Sequence, residues 1–253
     1  MAPGAVVLHG FTGTPASVAG VADALAGAGF VVSSPLLPGH GSTVDALVAT
    51  GWAEWTGAAE AAYRDVAARA SPVVVAGLSM GGALACWLAA GHPEVAGLVC
   101  VNPAVEPVAD AFLDLLRGLL AGGVTVIPTG MAADVARPGQ GEPTASGAPV
   151  APLLSLFEGV AELAPRLARI ACPLLLFTSL QDHVVAPSAS DLLADRVTGP
   201  VERVLLERSY HVATMDWDAE EIERRTVQFV GALCASRPTS GLTGTQTGLA
   251  PPA

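Results

Sequence analysis

The sequence predicts an α/β fold, a mostly parallel sheet flanked by helices, and three observations carry that expectation. Short apolar runs recur at strand length: Ala5 to Leu8, Phe30 to Leu37, Val73 to Ala76, Gly97 to Val101, Pro173 to Ser179 and Val201 to Glu207. Most of them do not alternate apolar with polar residues, the pattern of strands covered on both faces. Helical stretches separate the first strands, and a strand-helix-strand rhythm implies right-handed crossovers and parallel pairing. The third observation is Gly77-Leu78-Ser79-Met80-Gly81, a G-x-S-x-G turn between the apolar run at Val73 and a small-residue helix.

Length and composition set the bounds. A chain of 253 residues, 51% hydrophobic and 14% charged, is ample for the core of one large domain. All 12 basic residues are arginines and the formal charge is −11, so nothing forms the basic stripe that nucleic acid or an anionic lipid surface requires. Nucleic acid is excluded as a primary ligand. Cys86, Cys100, Cys172 and Cys234 lack C-x-x-C spacing and read as inert apolar fillers. No apolar run reaches the length of a membrane span and no signal peptide precedes the first strand, so a cytoplasmic protein without stable membrane insertion is expected.

Taken in order, the first strand runs into His9-Gly10-Phe11-Thr12-Gly13, a loop whose glycines free backbone N–H groups to face a ligand. Ser17 to Ala28 reads as a helix with Val18, Val21, Ala22 and Leu25 on its inner face, stopped at Gly29. Pro38-Gly39-His40-Gly41 closes the second strand, and Trp52, Trp55, Ala59, Ala62, Tyr63 and Val66 stripe the next helix. After Asn102 the rhythm breaks. Residues 102 to 171 offer a helix near Val108 to Leu120, a Gly/Pro-rich middle from Arg137 to Pro152, and a helical stretch from Leu153 to Leu167 interrupted by Pro165. This insertion, about seventy residues long, reads as a small helical lid on a core of residues 1 to 101 and 172 to 235. Most of its leucines are expected to pack on one another, with the remainder of Leu113, Leu116, Leu119, Leu120, Leu153, Leu154, Leu156 and Phe157 lining an acyl pocket. Ser188 and Asp191 are spaced as a capping box for a helix reaching Val197. The last helix, Asp218 to Cys234, is expected to bury Ile222, Thr226, Phe229, Val230 and Leu233. Asp216, Asp218, Glu220, Glu221 and Glu223 crowd its start, where a solvated turn and the helix dipole account for them. Residues 236 to 253, rich in Ser, Thr, Gly and Pro, read as a disordered tail.

A serine at the top of a strand-to-helix turn is strained and exposed, though a Gly-rich connection with an idle serine has the same letters. To act, it needs a base and an orienting carboxylate. Of five histidines, His9 and His40 lie in Gly-rich loops, His92 at a helix end and His183 in a strand-end loop. His211 follows the last strand, where a base reaches Ser79, and Asp182, at the end of the preceding strand, is its natural orienter ahead of Asp216 and Asp218. The oxyanion donors expected are the backbone N–H groups of Met80 and Phe11, with Thr12 as the fallback.

HGFTG (His9 to Gly13), LPGHG (Leu37 to Gly41), GLSMGG (Gly77 to Gly82), the aspartate in QDHVV and the histidine in SYHVATMD together resemble the α/β-hydrolase superfamily, in its small bacterial carboxylesterase and monoacylglycerol lipase branch. The motifs span nearly the whole chain; the lid is not matched by motif. The resemblance implies Ser79 as nucleophile, Asp182 and His211 as its partners, and Phe11 and Met80 as oxyanion donors. It implies hydrolysis of short-to-medium acyl esters or monoacylglycerols, a small-molecule ester as partner, and neither metal nor organic cofactor. Thioesterase or acyltransferase activity on the same residues, or a non-catalytic binding protein of the same fold, are the alternatives, and oligomeric state is left open. One departure is that the chain starts almost on its first strand, which bears on the order of that edge of the sheet.

Overall fold

The computed structural model describes residues 1–128, 134–141 and 147–235. Its strands are β1 (Gly4–Leu8), β2 (Val31–Ser33), β3 (Val73–Leu78), β4 (Gly97–Val101), β5 (Val126–Ile127), β6 (Ala148–Pro149), β7 (Leu174–Ser179) and β8 (Val201–Leu206). Six of them form one sheet in the order β2-β1-β3-β4-β7-β8, with every pair parallel. The helices are α1 (Ala19–Gly27), α2 (Val44–Val48), α3 (Trp52–Arg69), α4 (Met80–Gly91), α5 (Asp110–Ala121), α6 (Val150–Leu163), α7 (Ser188–Arg196) and α8 (Ala219–Ala235). The architecture is a parallel sheet between two helical layers, as the resemblance to the α/β-hydrolases implies.

The sequence of β1 shows why two layers form. Successive side chains of a strand point to opposite faces. Val6 and Leu8 enter one core cluster with Trp55, Ala59 and Val66 of α3 and Leu84 and Leu88 of α4. Ala5 and Val7 enter the other with Val21 and Leu25 of α1 and Ile222 and Val230 of α8. Strands β1, β3, β4 and β7 are buried at every residue, so they lack polar alternation. The edge strand β8 reads Val-Glu-Arg-Val and is exposed at Glu202 and Arg203.

Several elements differ from their sequence expectation. The strand expected over Phe30 to Leu37 is only β2, because Pro35 has no N–H to donate and the chain peels away after Ser33. β2 is the other edge, and β1 lies inside the sheet, paired over all five residues with β3 and from Gly4 to Val6 with β2. The helix expected from Ser17 begins as a 3-10 turn, Pro15–Val18, capped by Thr14 accepting from Ala16 N, before α1 takes over. The expected capping box at Ser188 is not formed. Pro187 precedes α7, Ser188 is already helical, and its Oγ donates instead to Glu106 Oε2 at 2.7 Å while Asp191 pairs with Arg203. Between β4 and β7 the chain adds α5, the unexpected antiparallel pair β5-β6, and α6, which passes into a 3-10 turn at Ala164. The expected tail, residues 236 to 253, lies outside the described residues.

α6 is seated on the core. Trp52 N donates to Ser155 Oγ at 3.0 Å, and Gly159 lies against the Trp52 indole so closely that a Cβ there would clash with the ring atoms. Leu163 and the following Leu167 are fully buried. The loop after β1 is pinned by His9, which is fully buried. Its Nδ1–H donates to Gly10 O at 2.9 Å and its Nε2 accepts from Leu37 N at 3.1 Å. Those two bonds demand the neutral ring, and burial lowers its pKa to about 4. Among the described residues no helix is long and apolar enough to cross a membrane.

Two outcomes are expected. Gly159→Ala lowers the melting temperature, a loss of about 1–3 kcal/mol from overpacking, whereas Gly57→Ala, with open space around it in the middle of α3, leaves it unchanged or raises it; thermal unfolding followed by circular dichroism compares them. His9 gives an acid signature. The unfolded chain takes up a proton near pH 6.5 and the native one only near 4, so stability falls as pH drops through that window by up to about 3 kcal/mol. Urea unfolding of wild type and His9→Gln between these pH values measures it, with a shallower slope expected for the variant.

Candidate active site

The site begins with backbone strain. Ser79 joins β3 to α4 at φ 56° and ψ −118°, a conformation rare outside glycine. Its peptide groups are held on both sides: Ser79 N donates to Val101 O at 3.0 Å, and Ser79 O accepts from Ala83 N and Ala104 N, each at 3.1 Å. The turn closes only because Gly77 and Gly81 carry no Cβ. One at Gly81 would overlap Leu8 O, and one at Gly77 would overlap Gly81 O.

The strand ends then bring the polar groups together. Ser79 Oγ lies 2.9 Å from His211 Nε2, and His211 Nδ1 lies 2.7 Å from Asp182 Oδ2. A carboxylate accepts, so Nδ1 carries the ring proton and Nε2 accepts from the serine hydroxyl. The His211 and Asp182 side chains are only 4% and 2% exposed, which shields the relay from water. Asp182 Oδ1 accepts from Val184 N and Val185 N, both at 2.8 Å, a turn that fixes the carboxylate in place. Of the predicted oxyanion donors, Phe11 lines the cleft beside Gly10, and Met80 opens α4 with its side chain buried and its N–H among the free amides of the first helical turn.

The other predicted candidates stand apart from this relay. His9 and His40 are buried beneath it, and His40 Nδ1–H donates to Pro38 O at 3.0 Å. His40 stacks edge-on with Phe11 and Trp55, so these rings form the floor of the loop. His92 sits between Glu60 and Glu94 at the end of α4.

Asp216 and Asp218 correct the sequence reading. They are not a solvated turn: they are 1% and 8% exposed. Asp216 accepts four backbone N–H groups, from Ala136, Arg137, Tyr210 and Trp217, at 2.7 to 2.9 Å. Asp218 accepts from Ser209 Oγ and from Arg208 N and Nε. The chain folds back at Ser209 to present His211, and these carboxylates satisfy the amides that the bend leaves unpaired.

Sequence reasoning also missed the residues that hold His211 by its backbone. Asn102, at φ 45°, donates from Nδ2 to His211 O at 2.8 Å and to Ser179 Oγ at 2.9 Å, while its Oδ1 accepts from Ser179 N. Asp134, just ahead of the Gly/Pro-rich part of the insertion, accepts from His211 N at 3.1 Å. An Asn ending an apolar strand is a weak sequence signal of a polar tie, and Asp134 carries none.

A cleft opens over Ser79 and His211. Its walls are apolar, with Leu153, Leu156 and Phe157 of α6 facing Val184 and Val185. Leu113 and Leu116 are buried away from it, so the insertion's leucines divide between their own packing and the cleft, as the sequence suggested. A second groove, sharing Ala104, Phe157, Val184 and Val185 with the cleft, continues past Phe112 and Val108.

Three comparisons with known proteins agree with this geometry. The family described as Serine aminopeptidase, S33 matches residues 4–218. A thermostable monoacylglycerol lipase of Bacillus sp. (strain H-257) is 36% identical over 228 residues, covering 89% of either chain. Among solved structures, one from the metagenome-derived lipolytic enzymes LipS and LipT superposes with a TM-score of 0.86 at 34% identity, covering 91% of this chain and 94% of the other. A monoacylglycerol lipase of Paleococcus ferrophilus shares the fold at a TM-score of 0.73 and 21% identity, covering 92% of this chain and 96% of its own. The chain therefore belongs to the serine aminopeptidase S33 family of α/β-hydrolases, and within it to the serine ester hydrolases of the carboxylesterase and monoacylglycerol lipase branch.

Proposed function

We propose that the protein hydrolyses carboxylic esters of short-to-medium acyl chains, monoacylglycerols among them, through an acyl-enzyme on Ser79. The observation that carries this reading is the unbroken relay from Ser79 Oγ through His211 to Asp182 at the base of an apolar cleft. In the first half, His211 Nε2 takes the Ser79 proton as Oγ bonds to the ester carbonyl carbon. The oxyanion is met by the N–H groups of Met80 and Phe11. His211 then returns the proton to the departing alkoxide as the C–O bond breaks. In the second half, a water gives its proton to Nε2 and its oxygen to the acyl carbon, and Ser79 leaves with the proton restored. Asp182 keeps the ring in the Nδ1–H tautomer and stabilises the imidazolium.

The family's description names a peptidase, but the cleft favours an ester with an acyl tail. An aminopeptidase must hold a terminal ammonium, and among the described residues no carboxylate lines the cleft. The insertion then acts as a lid whose α6 face supplies the acyl wall, and the name of the Bacillus relative supports glycerol monoesters as substrates.

Two tests follow. Ser79→Ala and Asp182→Asn are each expected to lower kcat for a p-nitrophenyl ester by about three orders of magnitude or more with melting temperature preserved. Asp216→Asn is expected to lower the melting temperature first, because an amide NH2 facing N–H donors orphans two of them at about 1–3 kcal/mol each; calorimetry beside the ester assay separates the two carboxylates. For chain length, kcat/KM on p-nitrophenyl esters should rise with each added CH2, worth up to about 0.8 kcal/mol, until the cleft is filled. Leu156→Trp should bring that plateau to shorter chains. Emulsified triacylglycerol should be a poor substrate, since a net charge of −11 opposes adsorption to anionic interfaces; best activity on the emulsion would overturn the substrate assignment.

A further inference from the structure

We propose that Asp134 is a positioning residue for His211, and that the insertion between β4 and β7 thereby sets the spacing of the acid and base of the relay. The inference rests on the reading of His211 as the catalytic base. One carboxylate oxygen, Asp134 Oδ2, accepts from both His183 N at 3.2 Å and His211 N at 3.1 Å. His183 directly follows Asp182. A single oxygen therefore joins the peptide next to the orienting carboxylate to the peptide of the histidine it orients, two segments that come from the ends of β7 and β8. The 2.7 Å bond from His211 Nδ1 to Asp182 Oδ2 forms between the side chains of the two segments so joined.

The remaining contacts make this joint a clamp. Asp134 Oδ1 takes His183 Nδ1 at 2.8 Å, and the His183 ring stacks edge-on against Tyr210, the residue before His211. Asp134 also uses its backbone, its carbonyl accepting from Val212 N at 3.0 Å, so two consecutive amides of the histidine loop end on one residue of the insertion. The clamp is reciprocal. Asp216 of the histidine loop accepts from Ala136 N and Arg137 N of the insertion, and the Arg137 guanidinium lies 5.3 Å from the Trp217 ring. His211 O is taken by Asn102, the residue at which the insertion leaves β4. Both backbone polar groups of His211 are thus held by side chains that belong to the insertion or its root, none of them touching the imidazole.

Displacing a base by a fraction of an ångström slows proton transfer without changing how an ester fits the cleft, since Asp134 does not line it. The decisive comparison is Asp134→Ala with Asp134→Asn, assayed on p-nitrophenyl acetate with Ser79→Ala and His211→Ala alongside. In the amide, one oxygen still accepts both backbone N–H groups, and the NH2 can donate to a neutral His183 Nδ1. The expected result for Asp134→Ala is a fall in kcat of about tenfold to a hundredfold with KM within about twofold. Asp134→Asn should restore kcat to within about threefold. The downfield proton resonance of the His211–Asp182 bond should broaden or vanish in the alanine variant and persist in the asparagine one. Full activity of a folded Asp134→Ala, equal loss in both variants, or a rise in KM at constant kcat would each overturn the proposal. Activity in Ser79→Ala or His211→Ala would instead overturn the catalytic reading itself. Should Asp134→Ala not fold, amide hydrogen exchange on the unmutated enzyme decides: the His211 amide, whose acceptor is the Asp134 carboxylate, is expected to exchange as slowly as its neighbour Val212, and rapid exchange at His211 would sink the clamp.

Discussion

The strained peptide at Ser79 is the constraint on which the remaining structure depends. A non-glycine residue at φ 56° persists only where its surroundings leave it no alternative, at a cost of about 1–3 kcal/mol. Here the surroundings are the central strands and both flanking turns. β4 supplies Val101 O to the Ser79 N–H, and α4 and the first residues after Asn102 supply two donors to its carbonyl. β1 approaches so closely that Gly81 has no room for a side chain. The positions of β1, β3 and β4 beside one another are thus a condition for the Ser79 hydroxyl to sit at the strand ends within reach of His211.

Around that point the protein answers each buried carboxylate with N–H groups. Asp182 meets two amides and a ring nitrogen, Asp216 four amides, Asp218 an amide, a hydroxyl and a guanidinium. A buried polar network that is fully paired rigidifies its site, whereas one unpaired member would cost as much as several good contacts return. Asn102 and Ser179 follow the same rule: the amide and hydroxyl use each other and the carbonyls of Tyr210 and His211. The chain is strongly acidic overall, yet among the described residues the cleft itself is walled largely by leucine, valine and phenylalanine.

The segment between β4 and β7 serves two ends at once. Its α6 lines the cleft and is itself fixed by Trp52 lying against Gly159 and by the Ser155 hydroxyl. Its middle, around Asp134 to Arg137, lies on the histidine loop instead. One insertion thus meets both the wall of the cleft and the backbone of the histidine loop.

The sequence by itself determined the parallel sheet, the turn at Ser79 and the membership of His211 and Asp182 in one site. These follow from local rules: apolar runs without alternation, glycines that a tight turn demands, and a fixed order of loops along a right-handed sheet. Short-range expectations failed where a neighbour in space outbid a neighbour in sequence. Ser188 turned to Glu106 instead of capping its own helix; the strand over Phe30 to Leu37, by contrast, was cut short by a local cause, Pro35. Asp216 and Asp218 looked like surface charge because acidic residues crowd a helix start, but the bend before His211 leaves amides that only a buried carboxylate satisfies. Asp134 had no pattern at all, being one acidic residue between alanine and valine just ahead of a Gly/Pro-rich stretch. Its partners lie 49 and 77 positions away, and such a pairing exists only once the tertiary fold has placed the ends of β7 and β8 side by side beneath the insertion.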